Sequence, residues 1–528
     1  MKHTIPTQPV FGNTRHIHMV GIGGIGMSGM AEILLQRGFI VTGSDGSRGE
    51  TTDRLEKLGA RIWLGHDASQ IEGADVVVYT SAVKAEENVE TAAALEKGIP
   101  VIKRAEMLAE LMRMKYGIGV AGTHGKTTTT TMTGLVVQAA GFDPTIIVGG
   151  RVHSFDKTNA VVGKGDIVVV EADEFDRTFL RLSPSLAVIT NIDIEHMDIY
   201  HDEDDIKKAF VEFANKVPFY GAVVLCLDDP KVRSIIPEIE RRIITYGFTP
   251  QAQLRPADVK TSRLRSSFTV MLEEEELGRV SVDAPGEHNV QNALAAVGIG
   301  LELGMPFEKI KRGLKAYSGV FRRFQIKYDH NEIMVVDDYA HHPTEVKATL
   351  GAARKGWKDR RIIAVFQPHL YSRTHQLCKE FGSSFFDAET LVLTDIYPAR
   401  EKPIEGVSGK LVADTAKAFG HRDVRYVPRK EDLAQELQAM MRPGDMVITM
   451  GAGDIYRYGD QLVDLLKERD SGKENPVNDN PANKEPGYRN QTNDNPANDN
   501  PANEEPGNRN RTNDNPANEN PTTGQTTT

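Results

Sequence analysis

The sequence predicts an α/β protein of three domains: a Rossmann-like N-terminal domain, a central domain like that of a P-loop ATPase, and a doubly wound C-terminal domain. A disordered tail is expected behind them. Three observations predict this. Glycine-rich turns at residues 21–29 and 122–125 each lie between a short apolar strand pattern and a helix pattern. Short apolar runs recur along the chain and end in Asp, Asn, Thr or His, as strands do at the ligand-binding edge of open α/β sheets. Near residue 471 the apolar residues run out.

Size and charge narrow the possibilities. A chain of 528 residues has room for about three domains. A formal net charge of −11 argues against a nucleic-acid partner, because binders of the phosphate backbone carry basic faces. The two cysteines, Cys226 and Cys378, make no disulfide framework, which points to a reducing cytoplasm. No apolar run has the length of a membrane span and no signal-peptide core opens the chain, so a cytoplasmic protein without a membrane partner is expected.

Residues 1–113 read as the first domain. Ile17-His-Met-Val20 is a strand that runs into Gly21-Ile-Gly-Gly-Ile-Gly-Met-Ser-Gly29, and a helix over residues 30–37 follows, stopped by Gly38. A second strand, Phe39-Ile-Val-Thr42, leads to Asp45. This is the βαβ fingerprint in which a helix N-terminus meets a diphosphate and an acid meets a hydroxyl. The same turn would also serve plain close packing, and a diphosphate belongs to NAD(P) and to a UDP-sugar alike. Ala74-Asp-Val-Val-Val-Tyr79 is a further strand ending in Thr80-Ser-Ala82, before a helix near residues 106–112. Roughly three strands are expected here, short of the six in a full dinucleotide fold.

Residues 114–318 read as the central domain. In Val120-Ala-Gly-Thr-His-Gly-Lys-Thr-Thr-Thr129 a strand passes through a glycine turn into a helix. Backbone N–H groups and the helix end would meet phosphate, Lys126 would reach the β- and γ-phosphates, and the Thr127 hydroxyl would ligate Mg²⁺. Val120 replaces the first glycine of the strict motif, and Gly122 is the nearer one. The strand Asp166-Ile-Val-Val-Val-Glu171 ends in an acid suited to the same Mg²⁺. Asp173, Glu174 and Asp176 just beyond it read equally well as a solvated turn. Another strand ends at Thr190, before His196 and several carboxylates, where a metal ligand and a structural histidine are both open readings. Residues 267–272 and 278–282 form an antiparallel pair with a solvated acidic tip. Asn289 and Asn292 then share one face of a helix.

Residues 319–470 read as the third domain. Strands at residues 333–336, 361–366, 391–394 and 445–449 end in polar residues that should line one cleft edge. Residues 471–528 repeat Asn-Asp-Asn-Pro-Ala-Asn at 478–483, 493–498 and 513–518 and carry too little apolar surface to offset ordering entropy.

These motifs, at residues 21–29, 122–128, 190–198, 286–292, 337–343 and 366–374, come in the order found in the Mur ligase family, which the chain resembles over residues 15–468. The resemblance implies ATP-dependent ligation of L-alanine to the carboxylate of UDP-N-acetylmuramate, through an acyl phosphate, in peptidoglycan synthesis. It implies that Gly122, Thr123, His124, Gly125, Lys126, Thr127 and Thr128 hold the ATP phosphates, with Thr127 and Glu171 on one Mg²⁺ and His196 on a second. It places His288, Asn289 and Asn292 at the adenine. Arg323, Asp338 and His341 would complete the site from the third domain, and His369 and Arg373 would face the amino acid. Leu370 stands where some members have a second arginine. Gly23, Ser28, Asp45, His66 and Ser81 would hold the UDP part. Three rivals are kept: a sister ligase that adds a preformed peptide, an NAD(P)-dependent oxidoreductase, and a non-catalytic nucleotide-binding regulator.

Overall fold

The computed structural model describes residues 11–80, 83–155, 158–193, 199–399 and 401–473. They build three sheets in chain order. The first holds β1 (His16–Val20), β2 (Ile40–Asp45), β3 (Arg61–Leu64), β4 (Val76–Tyr79) and β5 (Val101–Lys103), in the order β3-β2-β1-β4-β5. All its pairings are parallel. The strand order reverses between β1 and β4, and the glycine turn after β1 opens at that switch point, where such sheets bind ligands. The expectation of roughly three strands is corrected to five. The two it lacked, β3 and β5, are short and only partly buried, so their sequences carry no continuous apolar run.

The second sheet holds β6 (Tyr116–Ala121), β7 (Thr145–Val152), β8 (Thr158–Val161), β9 (Ile167–Glu171), β10 (Leu186–Ile189), β11 (Ala222–Cys226), β12 (Ile243–Tyr246), β13 (Leu254–Ser262), β14 (Arg265–Leu272) and β15 (Glu275–Val282). Their order is β15-β14-β13-β12-β11-β10-β6-β9-β7-β8. The middle is parallel, while β13-β14-β15 and β7-β8 are antiparallel edges. β6, β9 and β10 are almost wholly buried and read as continuous apolar runs, as parallel strands covered on both faces should. Helices Lys126–Ala139 and Glu287–Glu302 lie against each other over this sheet.

The third sheet holds β16 (Gln325–His330), β17 (Ile333–Asp338), β18 (Arg361–Phe366), β19 (Thr390–Leu393), β20 (Val424–Tyr426) and β21 (Asp445–Met450), in the order β16-β17-β21-β18-β19-β20. Only β16 runs antiparallel. The four expected strands are its core, and β16 and β20 are added edges. Helix Ile455–Lys473 runs past the expected limit at residue 470. Ser81, His196 and the tail from residue 474 lie outside the described residues. Among the described residues no helix is long and apolar enough to cross a membrane.

Candidate active site

The turn between β6 and helix Lys126–Ala139 forms a cradle. Gly125, with φ 80°, caps the helix in the left-handed region, so the helix starts at Lys126. At Gly122, with φ 133°, a Cβ atom would stand 2.0 Å from Thr190 Oγ1. The end of β10 straps the turn: the Thr190 hydroxyl donates to the His124 carbonyl (2.7 Å), and the His124 N–H donates to Asn191 Oδ1 (2.8 Å). Lys126 folds back, donating to the carbonyls of Gly122 (2.8 Å) and Thr123 (3.0 Å) and to Glu174 Oε1 (2.9 Å). Burial opposes the Lys126 charge, but Glu174 and Asp173 outweigh it and hold the ammonium above the usual lysine range. Glu174 is therefore no solvated residue: it is fully buried, and burial lifts its carboxyl above the ordinary range against the pull of Lys126.

Beside the lysine stands an oxygen pair. Thr127 Oγ1 donates to Glu171 Oε1 (3.0 Å), and Glu171 Oε2 accepts the Gly149 N–H (2.6 Å). Burial raises the Glu171 carboxyl. A Cβ on Gly149 would come within 2.7 Å of that carboxylate. An all-oxygen pair next to a glycine turn at a helix N-terminus suits a hard divalent cation.

A cleft of about 890 Å³ opens between the second and third sheets. Of the predicted residues, His124, Gly125, Thr128, His288, Asn289, Asn292, Arg323 and Asp338 line it. Asn292 accepts from Thr129 (3.0 Å) and donates to Asn289 (3.2 Å), which ties helix Glu287–Glu302 to helix Lys126–Ala139. The enclosing cleft, then the charge of Arg323, holds the His288 ring below the usual imidazole range. Asp338 accepts the N–H groups of Phe324 and Ala340, both at 2.7 Å. Burial pushes its carboxyl up to about 6, with Arg323 pulling the other way.

Glu345 joins the third domain to the glycine turn after β6. It accepts from Arg323 Nη1 (3.3 Å) and from the His341 N–H (3.0 Å), and it faces His124 Nδ1 (3.3 Å) across the cleft. Burial opposes its charge, but His341, Arg323 and His124 hold the carboxyl well below the usual range. Nearby, Thr344 donates to Asp193 Oδ2 (2.9 Å). His124, Asp193 and His342 bring three ligand atoms within 4.8 Å of one another, a nitrogen-rich set that suits a borderline cation better than Mg²⁺. His341 and His369 stand edge to face with centroids 6.0 Å apart, and His369 Nδ1 is 3.2 Å from Arg373 Nη1. Leu370 sits at φ 70°, a conformation few non-glycine residues adopt.

In the first domain the Gly23 N–H donates to Asp45 Oδ2 (2.9 Å), bracing the glycine turn. Ser28 is buried on helix Ile25–Gln36 and lines a smaller cavity of about 370 Å³ with Arg151 and Asn159 of the second domain. His66 lies apart from that cavity, against Ser44. Arg104 packs over Gly26, where a Cβ would meet Nη1 at 2.6 Å, so a second cation faces the turn. The sequence reading assigned no role to Arg104, Glu174, Asp193 or Glu345. Asp193 and Glu345 lay inside or beside motifs already noticed, Glu174 stood in an acidic stretch that read equally well as a solvated turn, and Arg104 gave no signal of its own.

Comparison with known proteins matches this architecture piece by piece. The model described as the Mur ligase family catalytic domain matches residues 16–116, the Mur ligase middle domain residues 120–300, and the Mur ligase glutamate ligase domain residues 322–453. A protein of Salinibacter ruber named UDP-N-acetylmuramate–L-alanine ligase is 56% identical over 466 residues, covering 88% of this chain and 98% of its own. One of the same name from Geotalea daltonii is 52% identical, covering 87% and 100%. The crystal structure of UDP-N-acetylmuramate-alanine ligase from Thermotoga maritima superposes with a TM-score of 0.73 at 29% identity, over 86% of this chain and 99% of that one. A murein peptide ligase of Psychrobacter arcticus shares the fold, with a TM-score of 0.64 at 24% identity over 86% and 98%. The chain belongs to the Mur ligase family.

Proposed function

We propose that this chain catalyses ATP-dependent ligation of L-alanine to the carboxylate of UDP-N-acetylmuramate in peptidoglycan precursor synthesis, in the cytoplasm. One observation carries the chemistry: Lys126, Thr127 and Glu171 converge at the phosphate turn, and Glu345 of the third domain reaches that same turn. Relatives 52–56% identical over nearly their whole length, and named for this reaction, support the choice of substrates. Functional divisions at residues 1–113, 114–318 and 319–470 follow.

A carboxylate accepts no amine directly, because oxide is a poor leaving group. In the first step a muramoyl carboxylate oxygen attacks the γ-phosphorus and ADP leaves, giving an acyl phosphate. The amino group of alanine then attacks the carbonyl carbon, and phosphate leaves with the bonding pair and the original carboxylate oxygen. Lys126 exchanges Glu174 and its own loop carbonyls for the γ-phosphate and balances the charge that develops there. Thr127 and Glu171 would hold Mg²⁺, which neutralises phosphate charge when bound. His196 is proposed for a second Mg²⁺. His288, Asn289 and Asn292 receive the adenine, with Arg323 and Asp338 closing the site. His369 and Arg373 hold the amino acid's carboxylate, and His341 or His369 takes the proton from its ammonium. Gly23, Ser28, Asp45, His66 and Ser81 hold the UDP portion. The third domain, latched through Glu345, keeps water from the acyl phosphate.

The test supplies ATP and UDP-N-acetylmuramate with L-alanine, with a preformed peptide, or with neither. ADP release that depends on L-alanine and yields the alanine-joined nucleotide supports the proposal. Faster turnover with the peptide would transfer the chain to the sister activity, and thermal protection by NAD but not by the UDP-sugar would overturn the reading of the first domain.

A further inference from the structure

Beneath the carboxyl ends of β1, β2 and β3 lies a buried polar network that the proposed reaction leaves unused. Its centre is Glu90, fully buried in the first turn of helix Val89–Glu96, whose N-cap Asn88 accepts the Glu90 N–H at 3.0 Å. Glu90 Oε2 accepts from the Ser44 hydroxyl (2.6 Å) and lies 3.1 Å from His66 Nδ1. Its other oxygen faces His18 Nε2 at 3.7 Å, and His18 Nδ1 is 2.9 Å from the Thr42 hydroxyl. Burial alone would raise the carboxyl, but His18, Ser44 and His66 together hold it below the usual range, so it is ionised at neutral pH. A buried carboxylate held this firmly is costly unless each lone pair is used.

The chemistry of this junction decides a tautomer. An ionised carboxylate only accepts. The Ser44 proton is committed to Glu90 Oε2, so the hydrogen bond between His66 and this pair is donated by His66 Nδ1. A neutral His66 then carries its lone pair on Nε2. The Glu90 side chain has no exposure, whereas that of His66 is 33% exposed, so the ring turns its Nδ1 to the buried pair while part of it meets solvent. Ser44 immediately precedes Asp45, which braces the glycine turn.

We propose that Glu90 is a positioning residue for the nucleotide-sugar: through Ser44 and His66 it fixes an imidazole whose Nε2 accepts from an N–H or hydroxyl donor of the UDP portion. This rests on the UDP-sugar reading of the first domain. Glu90 itself never touches the ligand. In Glu90→Gln the amide N–H₂ can donate to His66 Nδ1, which moves the ring proton to Nε2 and turns the acceptor into a donor.

Two measurements test it. Steady-state kinetics of Glu90→Gln should show KM for UDP-N-acetylmuramate raised about tenfold, the upper size of one lost hydrogen bond, with kcat and KM for ATP within about twofold of wild type. In Glu90→Gln/His66→Ala the KM should not exceed that of His66→Ala alone, because Glu90 acts through His66. An unchanged KM in Glu90→Gln, or losses that multiply in the double variant, would overturn the proposal. Nitrogen-15 NMR of the full chain, with His66 assigned by its own variant, should find the Nδ1–H tautomer in wild type without any ligand. If Glu90→Gln fails to fold, that spectrum decides alone, and an Nε2–H ring would overturn the proposal. A wild-type enzyme that the UDP-sugar does not saturate would sink the UDP reading instead, which the tautomer measurement does not depend on.

Discussion

Lys126 is the residue on which the proposed chemistry turns. Its ammonium is held by Glu174 and by two carbonyls of its own turn, so bound phosphate only has to exchange partners with a charge already in place. Lys126→Ala should lower kcat by about 10²-fold or more, the usual loss for a transition-state charge stabiliser, while near-UV circular dichroism stays native. Activity within about tenfold of wild type would remove Lys126 from the mechanism. Asp338 gives a pH prediction. Its carboxyl is raised from 3.8 to about 6, so the stability it contributes is complete below its unfolded pKa and is lost as pH rises through about 6. The melting temperature of Asp338→Asn, relative to wild type, should therefore climb between pH 4 and pH 7 in calorimetry. A difference that is flat or falls over that range contradicts the assignment. Lys126 and Thr127 were legible in the sequence because a strand, a glycine turn and a helix fix their geometry locally. Glu174 was not, since an acid beside other acids looks the same in sequence whether it is solvated or buried against a lysine distant along the chain.

At the scale of elements, the legible pieces were those buried on both faces. β6, β9, β10, β17 and β18 are near-continuous apolar runs and stand where the sequence placed them. The sequence placed no strand at β3, β5, β7, β8, β12, β13, β16 or β20; of these, β3, β5, β16 and β20 are short or half-exposed edges whose pairing depends on a neighbour rather than on their own pattern. Helix Lys126–Ala139 shows the converse. It carries a run of threonines that favour strands, yet it is helical because it is almost wholly buried between sheet and helix. β7 contributes Gly149, whose missing Cβ leaves room for Glu171. Gly149→Ala should displace that carboxylate and move the Mg²⁺ midpoint of activity to roughly tenfold higher concentration, as the loss of an orienting contact does. An unmoved midpoint would separate Glu171 from the metal.

At the scale of the whole molecule, the site is divided among all three sheets. The first binds the sugar nucleotide in the proposed scheme, the second the ATP phosphates, and the third the amino acid. No local pattern announces a residue whose role is to join two of these, and Glu345 is one: it meets Arg323 and His341 within its own domain and His124 across the cleft. Glu345→Gln should lower kcat about tenfold or more, because it replaces charge-assisted contacts that hold the closed site. Unchanged kcat would show that closure does not depend on this contact. The central claim is that the muramoyl carboxylate is activated by phosphorylation before the amine attacks. Its most direct test uses UDP-N-acetylmuramate labelled with ¹⁸O in that carboxylate, followed by mass spectrometry of the products. The account predicts one ¹⁸O in each inorganic phosphate released per alanine joined. Unlabelled phosphate, with the expelled ¹⁸O found in AMP or in water, would contradict it.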